Sequence, residues 1–406
     1  MGNGPSFGYR SALGSPVVRR LWAASLASTV GDYIGLGALL FLATDRTGLA
    51  IATAAVFAVG VVPSLLTGML GGGWFDRFPR TGTLVALQLL GAGAICLPIL
   101  VEGIPIVFLV AALLAAIRVA TIAVRSGAMA DGVHDEHRGA LIALMSSTDQ
   151  GAQVVGYLTG GALYVLLGPT FALLLDAASF ILGAIVLAGL PLPRGRPLPA
   201  RAPMTAGLRQ ITRDPVLRLL ASLVVVTGTV ASLPETLAPS IAGDADRWRP
   251  FLLAAAPAGQ AIAMTAFGRL PQIRRPSVQL VHFVSLGLAL VIAALARNPA
   301  SIAGANVLVG AGVAWIVGPQ LTFLRLAPKH RMAQITAVMV AMLAVAEGIG
   351  SLGFAAIADL AGVSAAYRLA GALLITTAVI GWMIKERTPE ALALDRDELP
   401  TVTATI

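Results

Sequence analysis

Asp32, Arg118, Asp149, Glu235 and Glu347 are ionisable residues that stand inside otherwise apolar stretches of this chain. A charge at the centre of a membrane-spanning helix costs ~2.5–3.5 kcal/mol even on lenient scales, so each needs a partner, a wet cavity or a task. Asp32 lies about 16 Å past Leu21 at ~1.5 Å per residue, near the middle of a ~30 Å hydrocarbon core. It falls between Gly31 and Gly35, with Gly37 beyond. Glycines at that spacing let helices approach closely. Burial favours the neutral form of a carboxylic acid, so a carboxyl at this depth can take up and release a proton. The competing reading is a static ion pair that orders a helix bundle. Arg118 is the expected partner, because a guanidinium at depth needs a carboxylate, and Asp32 or Asp149 can supply it. A proton or a cationic substrate would then compete with Arg118.

Asp149 belongs to Ser146-Ser147-Thr148-Asp149-Gln150, which is too polar to face lipid and is expected to line a cavity or a helix interface. Glu347 lies about 21 Å along its run from Ala333, among Gly348, Gly350 and Gly353. Glu235, in Pro234-Glu235-Thr236, is expected near a helix end within reach of water. Asp176 reads as a helix-packing or outer-gate residue, and His282 as a satisfied structural histidine. Other patterns carry no chemistry. Gly4-Pro5-Ser6-Phe7-Gly8 matches a hydrolase elbow, but that motif needs a strand, a tight turn and a helix, and this one lies in a polar tail. His134-Asp135-Glu136-His137 reads as a solvated loop. A phosphate-cradling Gly-Lys-Ser/Thr loop is missing, so ATP is not the expected driver. The single cysteine, Cys96, allows neither an intramolecular disulfide nor a thiolate cluster. No catalytic residue, metal or cofactor is expected.

The elements that hold these residues follow from composition. Of 406 residues, 57% are hydrophobic and 12% charged, against ~25% charged in soluble domains. Apolar runs long enough to cross a bilayer recur along the whole chain. They are continuous rather than alternating, which predicts helices and excludes a barrel. Twelve runs are predicted, near 21–43, 50–75, 82–101, 105–125, 140–167, 170–190, 216–241, 250–268, 278–296, 301–323, 333–359 and 365–384. The first is too long for a signal-peptide core. Most Lys and Arg residues gather on alternate connections, among them Arg77, Arg80, Arg125, Arg138, Arg274 and Arg331. That asymmetry predicts cytoplasmic termini in a cytoplasmic (inner) membrane. The net charge of +8 is then topological rather than a nucleic-acid footprint. The Pro- and Arg-rich stretch 191–215 is expected to link an N-terminal half, 1–190, to a C-terminal half, 216–384, with a cytoplasmic tail at 385–406. His137-Arg138-Gly139-Ala140 and His330-Arg331-Met332-Ala333 enter the fifth and eleventh runs alike. The expected fold class is an all-α membrane protein with twelve transmembrane helices in two six-helix pseudo-symmetric halves.

Gly72-Gly73-Trp74-Phe75-Asp76-Arg77-Phe78-Pro79-Arg80 resembles the signature between helices 2 and 3 of the major facilitator superfamily, with Pro79 where glycine is usual. The second-half segment 268–275 keeps the basic residues but has no Asp. Arg118 stands where the superfamily's helix-4 arginine would, with Thr121 and Ile122 replacing Gln-Gly. Val30-Gly31-Asp32, Asp176-Ala177-Ala178-Ser179-Phe180 and Arg213-Asp214-Pro215-Val216-Leu217 are similar to the branch of macrolide-efflux and enterobactin exporters. Gly156-Tyr157-Leu158-Thr159-Gly160-Gly161 resembles the exporter pattern of helix 5, with Tyr157 in place of proline and Ala152 in place of the first glycine.

The resemblance implies a secondary active transporter, an antiporter exporting a small amphipathic compound such as a drug, antibiotic or siderophore. It implies a cavity formed by helices 1, 4, 5, 7, 8, 10 and 11, with alternating access by rocking halves. Asp32, Arg118, Asp149, Glu235 and Glu347 would serve proton coupling and the cavity. Gly72, Asp76, Arg77, Arg80, Gly156, Gly160 and Gly161 would serve gating, the 2–3 loop as a latch made in one state and broken in the other. The implied partners are a small-molecule substrate, protons and the lipid bilayer, with a monomeric chain and no nucleic acid. The alternatives are an importer or lipid transporter of the same fold, and a non-transporting membrane sensor or scaffold.

Overall fold

The computed structural model describes residues 13, 16–74, 77–132, 135–192, 204–243, 245–267, 275–314 and 332–387. Among them every regular element is helical. The helices are α1 (Pro16–Thr47), α2 (Ala50–Trp74), α3 (Arg80–Leu100), α4 (Ile104–Gly132), α5 (Asp135–Leu167), α6 (Pro169–Leu187) and α7 (Met204–Arg213). They continue as α8 (Pro215–Ala231), α9 (Leu233–Ala242), α10 (Arg249–Phe267), α11 (Pro276–Leu295), α12 (Pro299–Val313), α13 (Met332–Ala361) and α14 (Val363–Glu386). Among the described residues, nine stretches are long and apolar enough to cross a membrane, and residues 216–242, which hold α8 and α9, count as one of them. With α5, α10 and the shorter α12, the architecture is that of twelve crossings.

The chain divides into two compact units, residues 1–200 with 244–254 and residues 201–243 with 255–406. Each repeats one pattern of helix pairing. In the first unit α1 packs on α5 and α6, and α3 packs on α4 and α6. In the second, α8 packs on α13 and α14, and α11 packs on α12 and α14. These are the same crossings counted from the start of each half. The turns repeat as well. Gly168 (φ 84°, ψ 171°) joins α5 to α6, and Gly362 (φ 87°, ψ 156°) joins α13 to α14. Each glycine N–H donates to the carbonyl four residues back, Tyr164 at 3.0 Å and Ala358 at 2.9 Å. Only glycine occupies this region of φ/ψ without strain. Gly168→Ala and Gly362→Ala are each expected to lower stability by about 1–3 kcal/mol, read as earlier thermal unfolding of the purified protein. Unchanged melting of both variants would contradict this account of the turns.

Local sequence explains where helices start and stop. Arg213-Asp214-Pro215 separates α7 from α8. Asp214 Oδ1 accepts from the N–H groups of Val216 at 2.9 Å and Leu217 at 3.0 Å, and Pro215 occupies the first turn. A side-chain cap with proline behind it is a strong helix start. The expected linker 191–215 therefore contains a helix. Ile211 of α7 is buried with Val216, Leu217, Leu220 and Val338, while Arg209 and Arg213 stay exposed. In the first unit, Val18, Leu21, Leu84, Val124 and Leu187 form the apolar cluster that closes one end of the bundle. Arg20 caps the C-terminus of α6, donating to the carbonyls of Val186 at 2.7 Å and Ala188 at 3.1 Å, where a cation also meets the negative end of the helix dipole.

Two glycine pairs set how closely α1 packs. A side chain on Gly156 would meet Tyr33 Cβ at 2.5 Å and the Val30 carbonyl at 2.7 Å, and one on Gly160 would meet Ile34 Cα at 2.8 Å. On the opposite side of α1, Gly31 and Gly35 receive Ser179 and Asp176 of α6. Asp32 and Tyr33 lie between these two tight seams, so the backbone that carries them has little room to shift.

Candidate transport site

Inside the first unit, α1, α3, α4, α5 and α6 enclose a cavity of about 40 Å³. Its polar lining comprises Ser25, Ser28, Thr29 and Asp32 of α1, Gln88 of α3, Arg118, Thr121 and Arg125 of α4, and Asp149 of α5. Two carboxylates and two guanidiniums thus share one space. Its size suits roughly three water molecules, far below the ~300–1,000 Å³ of a drug-sized pocket. Such a site can hold hydrated charges and protons.

The four charged groups are not locked in pairs. Arg118 Nη2 donates to the Tyr33 hydroxyl at 2.9 Å, and its guanidinium sits 5.0 Å from the Tyr33 ring centre. Among the described residues no basic group lies within ion-pair distance (4.0 Å) of Asp32, so its expected direct bridge to Arg118 is not formed. Asp32 interacts with Arg118, Arg125 and Asp149 through space. The physical reason is Tyr33. It occupies the guanidinium, and Tyr157 packs edge-on against it at 5.3 Å and 71°. Tyr157 is 1% exposed, so the residue that replaces proline in the helix-5 glycine pattern buttresses the arginine's anchor. Arg125 is a second correction. The sequence places it on the connection after the fourth run, but α4 runs on to Gly132 and carries Arg125 into the cavity wall, where it donates to Ser25 Oγ. Ser28 Oγ donates to Gln88 Oε1 at 3.3 Å, and Trp22 Nε1 to Thr148 Oγ1 at 2.9 Å. Asp176 is fully buried and packs on Gly31 and Gly35, accepting from Ser179 Oγ at 3.3 Å.

Elsewhere in this unit lies a cluster that the sequence did not flag. Arg249 Nη1 and Nη2 each donate to Asp45 at 3.0 Å, one to each carboxylate oxygen. Tyr164 donates to Asp45 Oδ2 at 2.8 Å. The Arg249 guanidinium lies 5.1 Å from the Phe41 ring centre and 5.7 Å from that of Tyr164. A side chain on Gly161 would collide with Pro250 at 2.7 Å. The start of α10 is therefore clasped to the ends of α1 and α5.

The second unit has a different character. A groove of about 590 Å³ runs between α7, α8 and α13, lined by Leu208, Val225, Thr229, Val338, Ala341, Met342, Val345, Ala346 and Ile349. Among the described lining residues Thr229 is the single polar side chain, and its hydroxyl donates to its own helix at Val226 (2.8 Å). Glu235 is 7% exposed, which corrects the expectation that it reaches water. The helix breaks at Ser232, and the new helix begins with Glu235 turned into the bundle. Glu347 of α13 interacts with it through space. His282 is satisfied by the Gly312 carbonyl at 2.6 Å.

The sequence of residues 21–338 matches the model of the Major Facilitator Superfamily. The chain belongs to that superfamily. No curated protein sequence matches it. Solved structures match over nearly the whole chain. A peptide transporter of the POT type in complex with sulfate superposes with a TM-score of 0.73 at 15% identity, covering 91% of this chain and 94% of that one. A bacterial homologue of the human lysosomal transporter Spinster, inward-facing and occupied, gives 0.71 at 16%, covering 96% and 99%. The nucleoside transporter NupG gives 0.70 at 10%, covering 91% and 99%. At these identities the likeness is one of fold. The chain is a multi-pass membrane transporter of the facilitator type, and a carrier of this type moves a small-molecule substrate.

The facilitator signature between α2 and α3 is described in part. Gly72 lies in the last turn of α2. Arg77 is exposed, whereas Arg80, the first residue of α3, is 6% exposed. Asp76 lies outside the described residues, as does most of 268–275.

Proposed function

We propose that this facilitator is a proton-coupled exporter of a small amphipathic organic compound, akin to the macrolide-efflux and enterobactin branch. It would work in the cytoplasmic membrane with both termini in the cytoplasm. One observation carries the reading: Asp32, at the middle of α1, shares a small polar cavity with Asp149, Arg118 and Arg125 without a direct ion pair. Neutralising Asp32 by a proton removes one of two negative charges facing two positive ones. The two arginines then face one acid instead of two, and the unbalanced positive charge favours another arrangement of α1 and α4. A carrier whose two states differ in proton affinity is driven by the proton gradient. The energy suffices. A charge moved through 100 mV is worth ~2.3 kcal/mol, and ~1.4 kcal/mol is tenfold in concentration. The apolar groove on α8 and α13 suits the apolar body of such a substrate. Glu235 and Glu347 would lie on the substrate path. Arg77, Arg80 and the tight helix-5 glycines, Gly156, Gly160 and Gly161, would bias the two states of the carrier.

The test is accumulation of fluorescent dyes and antibiotics in pump-deficient cells with and without the protein. Lower accumulation that a protonophore restores supports proton-coupled export. Higher accumulation supports import and contradicts the proposed direction.

A further inference from the structure

Glu235 stands in the first turn of α9, immediately after the break at Ser232 that divides one membrane crossing into α8 and α9. Three elements converge there. Tyr367 of α14 is fully buried and donates to Asn306 Oδ1 of α12 at 2.9 Å. Both α12 and α14 pack on α9, and Tyr367 interacts with Glu235 through space. Four polar atoms in this region have no hydrogen-bond partner: Glu235 Oε2, Ser232 Oγ, Thr236 Oγ1 and Asn306 Nδ2. Their residues are 7%, 4%, 0% and 0% exposed, respectively. Buried polar atoms are nearly always satisfied, so a group of orphans marks a place where something polar belongs. Hydrocarbon raises the cost of leaving them empty.

The charge says what belongs there. Among the described residues no basic group lies within ion-pair distance of Glu235. The charged neighbour acting on it is another carboxylate, Glu347. An anion would be repelled, whereas a cation would compensate the carboxylate in its ionised form. The surroundings say how large the ligand is. Thr229, in the groove wall, and Glu235 lie on either side of the break at Ser232 in one crossing. Ala346, also in the groove wall, is next to Glu347. α8 and α13 are pressed together here, because a side chain on Gly228 would meet Leu343 at 2.8 Å. Groove and carboxylates thus belong to the same two crossings.

We infer that the second unit binds an amphipathic organic amine, its apolar body in the groove between α8 and α13 and its ammonium at Glu235. The hydroxyls of Ser232 and Thr236 accept the remaining ammonium N–H groups, and Asn306 Nδ2, oriented by Tyr367, donates to an acceptor on the same ligand. This rests on the exporter reading and names the charge of the compound.

The test is equilibrium binding to the purified full-length protein in lipid nanodiscs, which needs neither a gradient nor a direction. The probes are propranolol, an amphipathic secondary amine, and its neutral N-acetyl derivative. The wild-type protein is expected to bind the amine and to bind the neutral derivative roughly thirtyfold or more weakly. Glu235→Gln should remove that preference, and Asn306→Leu should weaken amine binding while leaving Glu235 in place. Equal binding of both probes by the wild-type protein, or no binding of either, overturns the inference without use of any variant. Saturable sodium binding with no amine binding overturns it in favour of a metal ion. A measured amine preference together with absent efflux in cells would sink the exporter reading alone.

Discussion

Arg118→Met is expected to destabilise the purified protein by about 3–5 kcal/mol, the usual cost of stripping one partner from a buried charge cluster. The substitution removes the guanidinium that Tyr33 holds at 2.9 Å and leaves Asp32 and Asp149 facing Arg125 across the cavity. Most of the penalty is the field of the stranded acids rather than a lost contact. The sign of a second change follows. Adding Asp32→Asn to Arg118→Met removes one stranded charge and should recover a large part of the loss. Tyr33→Phe alone deletes one hydrogen bond to a charged group, worth ~1.5–3 kcal/mol, and keeps the ring under the guanidinium. Thermal unfolding of the wild type, Arg118→Met, Asp32→Asn and the double variant completes the cycle. Additive losses in the double variant would show that Asp32 and Arg118 are not coupled, and the shared-cavity account would fail.

Gly160→Val is expected to cost about 3 kcal/mol or more, the upper end of overpacking effects. The neighbour that a new side chain meets is backbone, Ile34 Cα at 2.8 Å and the Ile34 carbonyl at 2.9 Å. Backbone within a 32-residue helix cannot turn aside as a flexible side chain would. To fit, α1 must move away from α5, which takes Asp32 and Tyr33 with it. The expected result is low yield of folded protein or a sharply lowered melting temperature. Gly151→Val on the same helix, where a side chain meets nothing within 4 Å, is the control and should melt like the wild type. Equal behaviour of the two variants would contradict the role given to the α1–α5 seam.

Hydropathy made the helices legible, because a lipid-spanning segment writes its length and apolarity directly into the sequence. Asp32 was legible for the same reason, a carboxylate alone at the depth of an apolar run. Its surroundings were not. Tyr33 read as one more large residue in a buried helix, and nothing in its spacing announced a guanidinium on its hydroxyl. Arg125 reads as a loop residue because hydrophobicity falls before α4 ends. Hydrogen bonds continue the helix past that point, and the extra turns bring the arginine inward. Glu235 looked accessible because Pro234 and its position suggested a helix end. The end is real, but it lies inside the bundle, where α9 restarts the crossing. Asp45 and Arg249 are separated by 204 residues, and only the packing of α10 on α1 and α5 joins them. In each case single-residue chemistry was readable and pairwise geometry was not.

The most direct test of proton coupling through Asp32 compares three proteins in pump-deficient cells, each at verified membrane levels: wild type, Asp32→Asn and Asp32→Glu. The readout is accumulation of a dye that the wild-type protein excludes, with and without a protonophore. The account predicts that exclusion is lost in Asp32→Asn to the level of protonophore-treated wild type, and that Asp32→Glu retains part of it. Protonophore-sensitive exclusion that survives in Asp32→Asn would contradict the account and place the coupling proton elsewhere.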